Sequence, residues 1–376
     1  MYFAWIICAA IALFELRITW EFYQWILTIG CVVLWLSLLL RIWRIMKLGL
    51  ALLCSALAVA AIVSPPFVFK MNAAHLDRIE IKHDLSLFSY EPFSEGTLAV
   101  SLDEPAALSL TNNLPSLDGA LALYPLYSAF AKAVYPANDD TMAPVDDGSL
   151  ISCANTPMAY QKLIHGLSDI IFAAGPSAEQ LQMAKDAGVE LKLTPIGREA
   201  FVFFVNAKNP VAGLSTDNIK TIYSGGATNW NVFGGKDSAI RAFQRPENSG
   251  SQTALLRLMG DTPLMVPPSE NIADSMGGII SKTAAYKNFS NSIGYSFLFF
   301  ATEMIRDNKI KLLSVDGVAP TRKNVANGSY PHASEFYAVT AGTTNPNVDA
   351  FIAWMRGEQG QRLVEKTGYT PLQPHL

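Results

Sequence analysis

The sequence predicts an α/β domain preceded by a block of membrane-spanning helices. Two observations carry this expectation. From about residue 116 onward, apolar strand-like runs alternate with helix-like segments, the pattern of α/β architecture. The hydrophobic excess of the 376 residues, 50% hydrophobic against 16% charged, is concentrated ahead of residue 70.

The N-terminal block holds three apolar stretches, Met1–Phe14, Phe22–Leu40 and Leu48–Val63. The second and third approach the ~20 residues that a bilayer-spanning helix needs. The first reaches that length only if Leu16 to Trp20 extends it. Arg41, Arg44 and Lys47 lie between the second and third stretches, which assigns that loop to the cytoplasmic side. Everything after Ser64-Pro65-Pro66 is then extracytoplasmic. Residues 1–69 are expected as two or three transmembrane helices, 70–115 as a linker with edge strands, and 116–376 as a binding domain outside the cell membrane.

Within that domain, Ala120–Tyr135 has apolar residues at three- and four-residue spacing and reads as a helix. Met158–Gly166 and Glu179–Ala187 read as short helices, the latter stopped by Gly188. Thr216–Tyr223 follows the cap candidate Ser215, and Ser251–Met259 ends at Gly260. Asp169–Ala174 and Ala200–Val205 are apolar strands. Ser292–Phe300 is a strand or a strand–helix corner, and Val348–Thr367 a helical pair broken around Gly357–Gly360.

Charge and composition exclude several functions. The net charge is −4, and the first 69 residues hold four bases (Arg17, Arg41, Arg44, Lys47) against two acids (Glu15, Glu21). The remainder is therefore more acidic still and lacks the clustered Lys/Arg that nucleic acid requires. Cys153 is the only cysteine beyond the apolar stretches, so no disulfide forms within the outer domain. The five histidines are scattered without metal-ligand spacing. No GxSxG or P-loop motif is present. The expectation is a binding protein with no cofactor and no metal, not an enzyme.

An anion is favoured at a helix N-terminus, where unpaired N–H groups and the macrodipole coincide. Three helix starts fit. Asp118-Gly119-Ala120-Leu121-Ala122 offers backbone amides after a glycine, although Asp-Gly also reads as an ordinary turn. Asn155-Thr156-Pro157 offers Thr156 as a cap with Pro157 at the first helical position, which is equally an ordinary cap. Arg245-Pro246-Glu247-Asn248-Ser249-Gly250-Ser251 supplies a guanidinium, two hydroxyls and a glycine ahead of a helix. Guanidinium binds tetrahedral oxyanions bidentately. The alternative there is a solvated loop in which Arg245 pairs with Glu247.

These residues resemble the phosphate-binding proteins of ABC transporters, the PstS-like branch of the type II periplasmic-binding fold. The resemblance runs over most of 115–372. Arg245…Ser249-Gly250-Ser251 is similar to the family's arginine followed by Ser-Gly-Thr. Ile222-Tyr223-Ser224-Gly225…Asn229-Trp230, Gly294-Tyr295 and Gly368-Tyr369-Thr370-Pro371-Leu372 resemble three further family motifs. The likeness is strongest to a membrane-tethered branch. It implies two lobes, about 80–196 with 333–376 and about 197–332, joined near Gly197-Arg198 and Tyr330-Pro331. It also implies an inorganic oxyanion, phosphate first, held between them. The implied ligand-binding residues are Leu121, Ala122 and Thr156 from one lobe, and Arg245, Ser249, Gly250 and Ser251 from the other. An ABC transporter permease is the implied partner.

Two positions depart from the family. Leu121 stands where a threonine is usual, leaving only the amides of Leu121 and Ala122. Ala174 stands near the usual position of an aspartate that accepts a hydrogen bond from protonated phosphate. Asp169 falls at the start of that strand instead. Glu247 and Glu199 are the candidates to replace the acceptor. A membrane-bound anion sensor, and a degenerate clamp that binds a protein or cell-wall partner, remain alternatives on the sequence.

Overall fold

A computed structural model describes residues 87–145, 148–267, 271, 291–304 and 309–372. The three apolar stretches and the first part of the linker lie outside these residues. Among the described residues no helix is long and apolar enough to cross a membrane.

The architecture is organised by one long strand. Strand β3 spans Lys192–Asn206, and each half belongs to a different layer of strands. Its Lys192–Ala200 half pairs antiparallel with β9 (Ala333–Thr340), while Phe201–Val205 pairs antiparallel with β6 (Ser292–Phe297). On the β9 side follow β2 (Ile170–Ala173) and, parallel to it, β1 (Leu117–Gly119). On the β6 side lies β5 (Arg241–Ala242), and β7 (Ile310–Leu312) pairs with the end of β3. The order is β1-β2-β9-β3-β6-β5, with β4 (Gly213–Leu214) and β8 (Ser314–Val315) forming a separate parallel pair. This is a two-lobed α/β fold.

The change of pairing partner along β3 falls at Ala200/Phe201. The return strand crosses nearby, where Phe201 N–H donates to His332 O at 2.9 Å and Tyr330 Oη donates to Phe201 O at 3.0 Å. Every residue from Glu199 to Asn206 is buried, as expected for a strand covered on both faces. Phe203, Tyr223 and Tyr295 form one ring cluster with centroids 5.7–6.3 Å apart. Burying a side chain of this size contributes about 1.5–3 kcal/mol.

Helices α1 (Tyr124–Val134), α2 (Thr156–Ile164), α3 (Ala178–Asp186), α7 (Val348–Arg356) and α8 (Glu358–Thr367) flank the first lobe. Helices α4 (Thr216–Tyr223), α5 (Gly250–Met259) and α6 (Arg322–Ala326) belong to the second. Most sit within two residues of the sequence expectation. The first differs: the Ala120–Tyr135 segment is a 3-10 turn over Leu121–Leu123 followed by α1. Pro125, in the first turn of α1, has no N–H to continue the 3-10 turn yet suits a helix start.

Two local readings of the sequence are revised by the structure. Of the 70–115 segment expected to hold edge strands, the described residues 87–115 carry none; after a 3-10 turn at Leu87–Tyr90 they run as an irregular strap of turns and bends. The strap is tied to helices by side chains and single backbone bonds. Lys132 Nζ donates to Ala99 O at 3.0 Å, Leu110 N–H to Val134 O at 2.9 Å, and Arg362 pairs with Glu104 at 2.5 Å. Asp118-Gly119 is not a turn either. It ends β1, and a Cβ on Gly119 would lie 2.5 Å from Phe172 O. Its glycine serves the packing of β1 on β2.

Candidate binding cleft

The three helix starts picked out in the sequence meet at one cleft. Ala122, Thr156 and Gly250 all line the same cavity, together with Ala174, Glu199 and Tyr369. The first two come from one lobe and Gly250 from the other.

Ala122 is the second residue of the 3-10 turn, so neither its N–H nor that of Leu121 has an acceptor within the turn. The turn is fixed from behind. Ala120 N–H donates to Phe172 O at 2.8 Å, and the hydroxyl of Tyr369 donates to the carbonyl of Ala122. Tyr369 stacks on Phe299 at 4.3 Å and is fully enclosed. The C-terminal Gly-Tyr motif therefore shapes the site directly. Gly368, at φ +116, ends α8, and the next residue grips the cleft wall.

Thr156 is not the cap the sequence suggested. Asn155 takes that place at φ +86, its Oδ1 accepting Met158 N–H at 3.2 Å. Asparagine tolerates the left-handed region better than threonine, whose branched Cβ does not. Thr156 becomes the first helical residue, its hydroxyl released from capping and directed at the cavity wall. The loop ahead of it is held by Asp118, whose Oδ1 accepts from Ala154 N–H at 2.8 Å and whose Oδ2 lies 2.6 Å from Lys162 Nζ. Asp118 is completely buried. The sequence reading missed this pair; an acid and a lysine, each within an apolar run, were its only signal.

Across the cleft, Ser249 caps α5, its Oγ accepting Gln252 N–H at 3.3 Å. Its own hydroxyl hydrogen is left to donate. A Cβ on Gly250 would lie 3.3 Å from Thr156 Oγ1 and 3.9 Å from Ala174 Cβ. The two helix N-termini thus approach almost to contact. Ser251 is fully buried, and its Oγ has no hydrogen-bond partner among the described residues. Arg245 is half-buried, and its backbone N–H is shared between Gln252 Oε1 (3.0 Å) and Tyr295 Oη (2.9 Å). Tyr295 Oη in turn donates to Gln252 Oε1. The Gly294-Tyr295 motif therefore positions the arginine loop. Leu121, Arg245, Ser249 and Ser251 are not among the residues that line this cavity.

The acids separate clearly. Asp169 is remote from the cleft and structural: it accepts from Ser116 N–H at 2.8 Å, from Ser116 Oγ at 3.0 Å and from Asn345 Nδ2 at 3.3 Å. Glu247 is exposed. Glu199 lines the cavity, buried, with Oε1 accepting Ala200 N–H at 3.0 Å and Oε2 accepting Phe299 N–H at 3.4 Å. Burial pushes its carboxyl up to about 8, against the opposing pull of these backbone N–H groups. Burial likewise raises the Tyr369 hydroxyl, with the Glu199 charge adding to it.

Helix starts that present backbone N–H groups and hydroxyls at one cavity are chemically suited to a small anion. The PBP superfamily domain model matches residues 122–359, from the first of these helix starts into α8. The chain belongs to the PBP superfamily. Within that superfamily it is PstS-like. It is 29% identical to the phosphate-binding protein PstS of Bacillus subtilis over 275 residues, covering 72% of this chain and 83% of that one. It is 25% identical to PstS of Staphylococcus epidermidis over 240 residues, covering 62% and 71%. Its fold is similar to a Clostridium perfringens structure described as a phosphate ABC transporter substrate-binding protein with bound phosphate. That likeness has 25% identity and a TM-score of 0.52, over 70% of this chain and 100% of that one. An ABC-type phosphate transport receptor from Vibrio cholerae shares the PBP fold at 18% identity and a TM-score of 0.50, over 70% of this chain and 99% of that one.

Proposed function

We propose that this PstS-like chain is a membrane-anchored, extracytoplasmic solute-binding protein that captures an inorganic oxyanion, phosphate first, in the cleft between its lobes. It delivers the anion to an ABC transporter permease and performs no chemistry. The observation that carries this is the convergence of Ala122, Thr156 and Gly250, three helix starts from two lobes, on one cavity. The relatives named for phosphate binding support the choice of ligand.

Leu121 and Ala122 would donate backbone N–H groups, and Thr156 its hydroxyl, from one side. Gly250 and Ser251 would donate N–H groups, Ser249 and Ser251 their hydroxyls, and Arg245 its guanidinium from the other. An anion touching both walls shifts the open–closed equilibrium toward closed by its differential affinity for the closed form. The apolar stretches of residues 1–69 would anchor the chain.

Titration calorimetry of the full chain in mild detergent, with phosphate and sulfate compared, tests this. Saturable phosphate binding at one site per chain is expected. No heat with either anion would contradict anion capture and favour a clamp for a protein or cell-wall partner.

A further inference from the structure

Glu199 is the one buried carboxyl among the cavity-lining residues. It sits on β3, just before the strand passes from one lobe to the other. Its cavity neighbours include Ala122, Thr156 and Gly250, the donors from both walls. Among the described residues no cation pairs with it; its hydrogen bonds come from backbone N–H groups, those of Ala200, Phe299 and Leu298. The other carboxylate at the cavity, Glu335 on β9, is exposed and solvated.

An anion brought beside an ionised, buried carboxylate is repelled, and a protonated carboxyl instead offers an O–H donor. We infer that Glu199 is a specificity-determining residue of the anion cleft, donating from its neutral carboxyl to an unprotonated oxygen of the oxyanion and so coupling capture to a proton held on that carboxyl. This rests on the anion-capture reading of the same cleft. It differs from an acceptor carboxylate, which would select a protonated anion.

The carboxyl's position near 8 is consistent with it. The groups around Glu199 do not reverse the sign. Tyr369 faces it from the C-terminal segment with a hydroxyl raised by burial. Arg198, beside it in β3, is turned to the carbonyls of Pro371 and Ala326 at 3.1–3.3 Å. Glu303 follows the Phe299 turn, Glu335 stands on β9, and the opposite lobe carries Arg245 and Arg257, the latter turned to the carbonyl of Pro176 at 2.8 Å. A bound anion adds negative charge near Glu199 and so raises its proton affinity further. Binding is therefore strong below about pH 8 and weakens above it, with proton uptake on binding in that upper range.

The test is phosphate calorimetry of the full chain and of Glu199→Gln between about pH 6.5 and about pH 9.5, each in two buffers of different ionisation enthalpy. Wild type should lose affinity by up to about tenfold per pH unit above about pH 8 and take up a proton there. E199Q, a neutral group of the same shape, should bind across the range, following only phosphate's own titration, without that uptake. Identical profiles for the two proteins, or no proton uptake by wild type at the upper end, would overturn the inference while leaving phosphate capture intact. A wild type that binds no phosphate at any pH would overturn the capture reading and this inference together.

Discussion

Gly250 and Thr156 face each other across the cleft so closely that a Cβ on the glycine would stand 3.3 Å from the threonine hydroxyl. One begins α5 in the second lobe; the other begins α2 in the first. Gly250→Ala should weaken phosphate binding by about tenfold or more, because an added methyl separates the two N-termini that the anion must bridge. The melting temperature should move little, since the methyl points into the cleft. Parallel calorimetry and thermal denaturation check both halves of the statement.

The Tyr369 hydroxyl holds the Ala122 carbonyl. Tyr369→Phe removes that bond to a buried carbonyl, a cost of about 1–3 kcal/mol. The Leu121–Ala122 amides lose their fixed aim as well. Urea denaturation should show the lower stability, and phosphate affinity should fall severalfold. Unchanged affinity would mean that the turn is held in place without the tyrosine.

Lys162 is the counter-ion of the fully buried Asp118. Lys162→Met strands that carboxylate and should cost about 3–5 kcal/mol, read as a lower denaturation midpoint. The double variant with Asp118→Asn should recover much of the loss, because no charge is then left buried.

Glu199 also links stability to pH. Its carboxyl is raised from an ordinary 4.5 to about 8. A raised carboxyl means that the folded chain holds a proton that the unfolded chain has released. Its favourable contribution is therefore fully present below about 4.5 and is lost as pH rises toward 8. E199Q should remove that slope, so that above pH 8 the variant is more stable than wild type. Denaturation midpoints measured across that window would show equal slopes if the group were solvated.

Much of the fold was legible because it is local. The helix over Thr216–Tyr223 shows its cap, Ser215, next to it, and the Val348–Thr367 pair shows its break at Gly357. What escaped was set by contacts distant in sequence. The strand expected over Ala200–Val205 runs from Lys192, because its polar first half is ordered by pairing with β9, more than a hundred residues later. Asp118-Gly119 also read as an ordinary turn because the partner of Asp118, Lys162, lies on a helix more than forty residues later. Thr156 read as a cap because propensity does not reveal that Asn155 adopts φ +86. At the site, Gly250 and its serines were legible as a motif. Glu199 and Glu247 were both legible as candidate acids; that Glu199 lines the cleft and Glu247 does not was not, since only folding brings the hinge strand beside the helix starts.

Arg245 is the one cation assigned to the anion, and its loop is pinned by Tyr295 and Gln252 through the backbone. Removing its side chain leaves that pinning in place. Phosphate titration calorimetry of the full chain against Arg245→Ala is therefore the most direct measurement of oxyanion capture. Binding by wild type that falls by at least about a hundredfold in R245A, about 2.7 kcal/mol, is the predicted result. Equal phosphate affinity in the two proteins would contradict it.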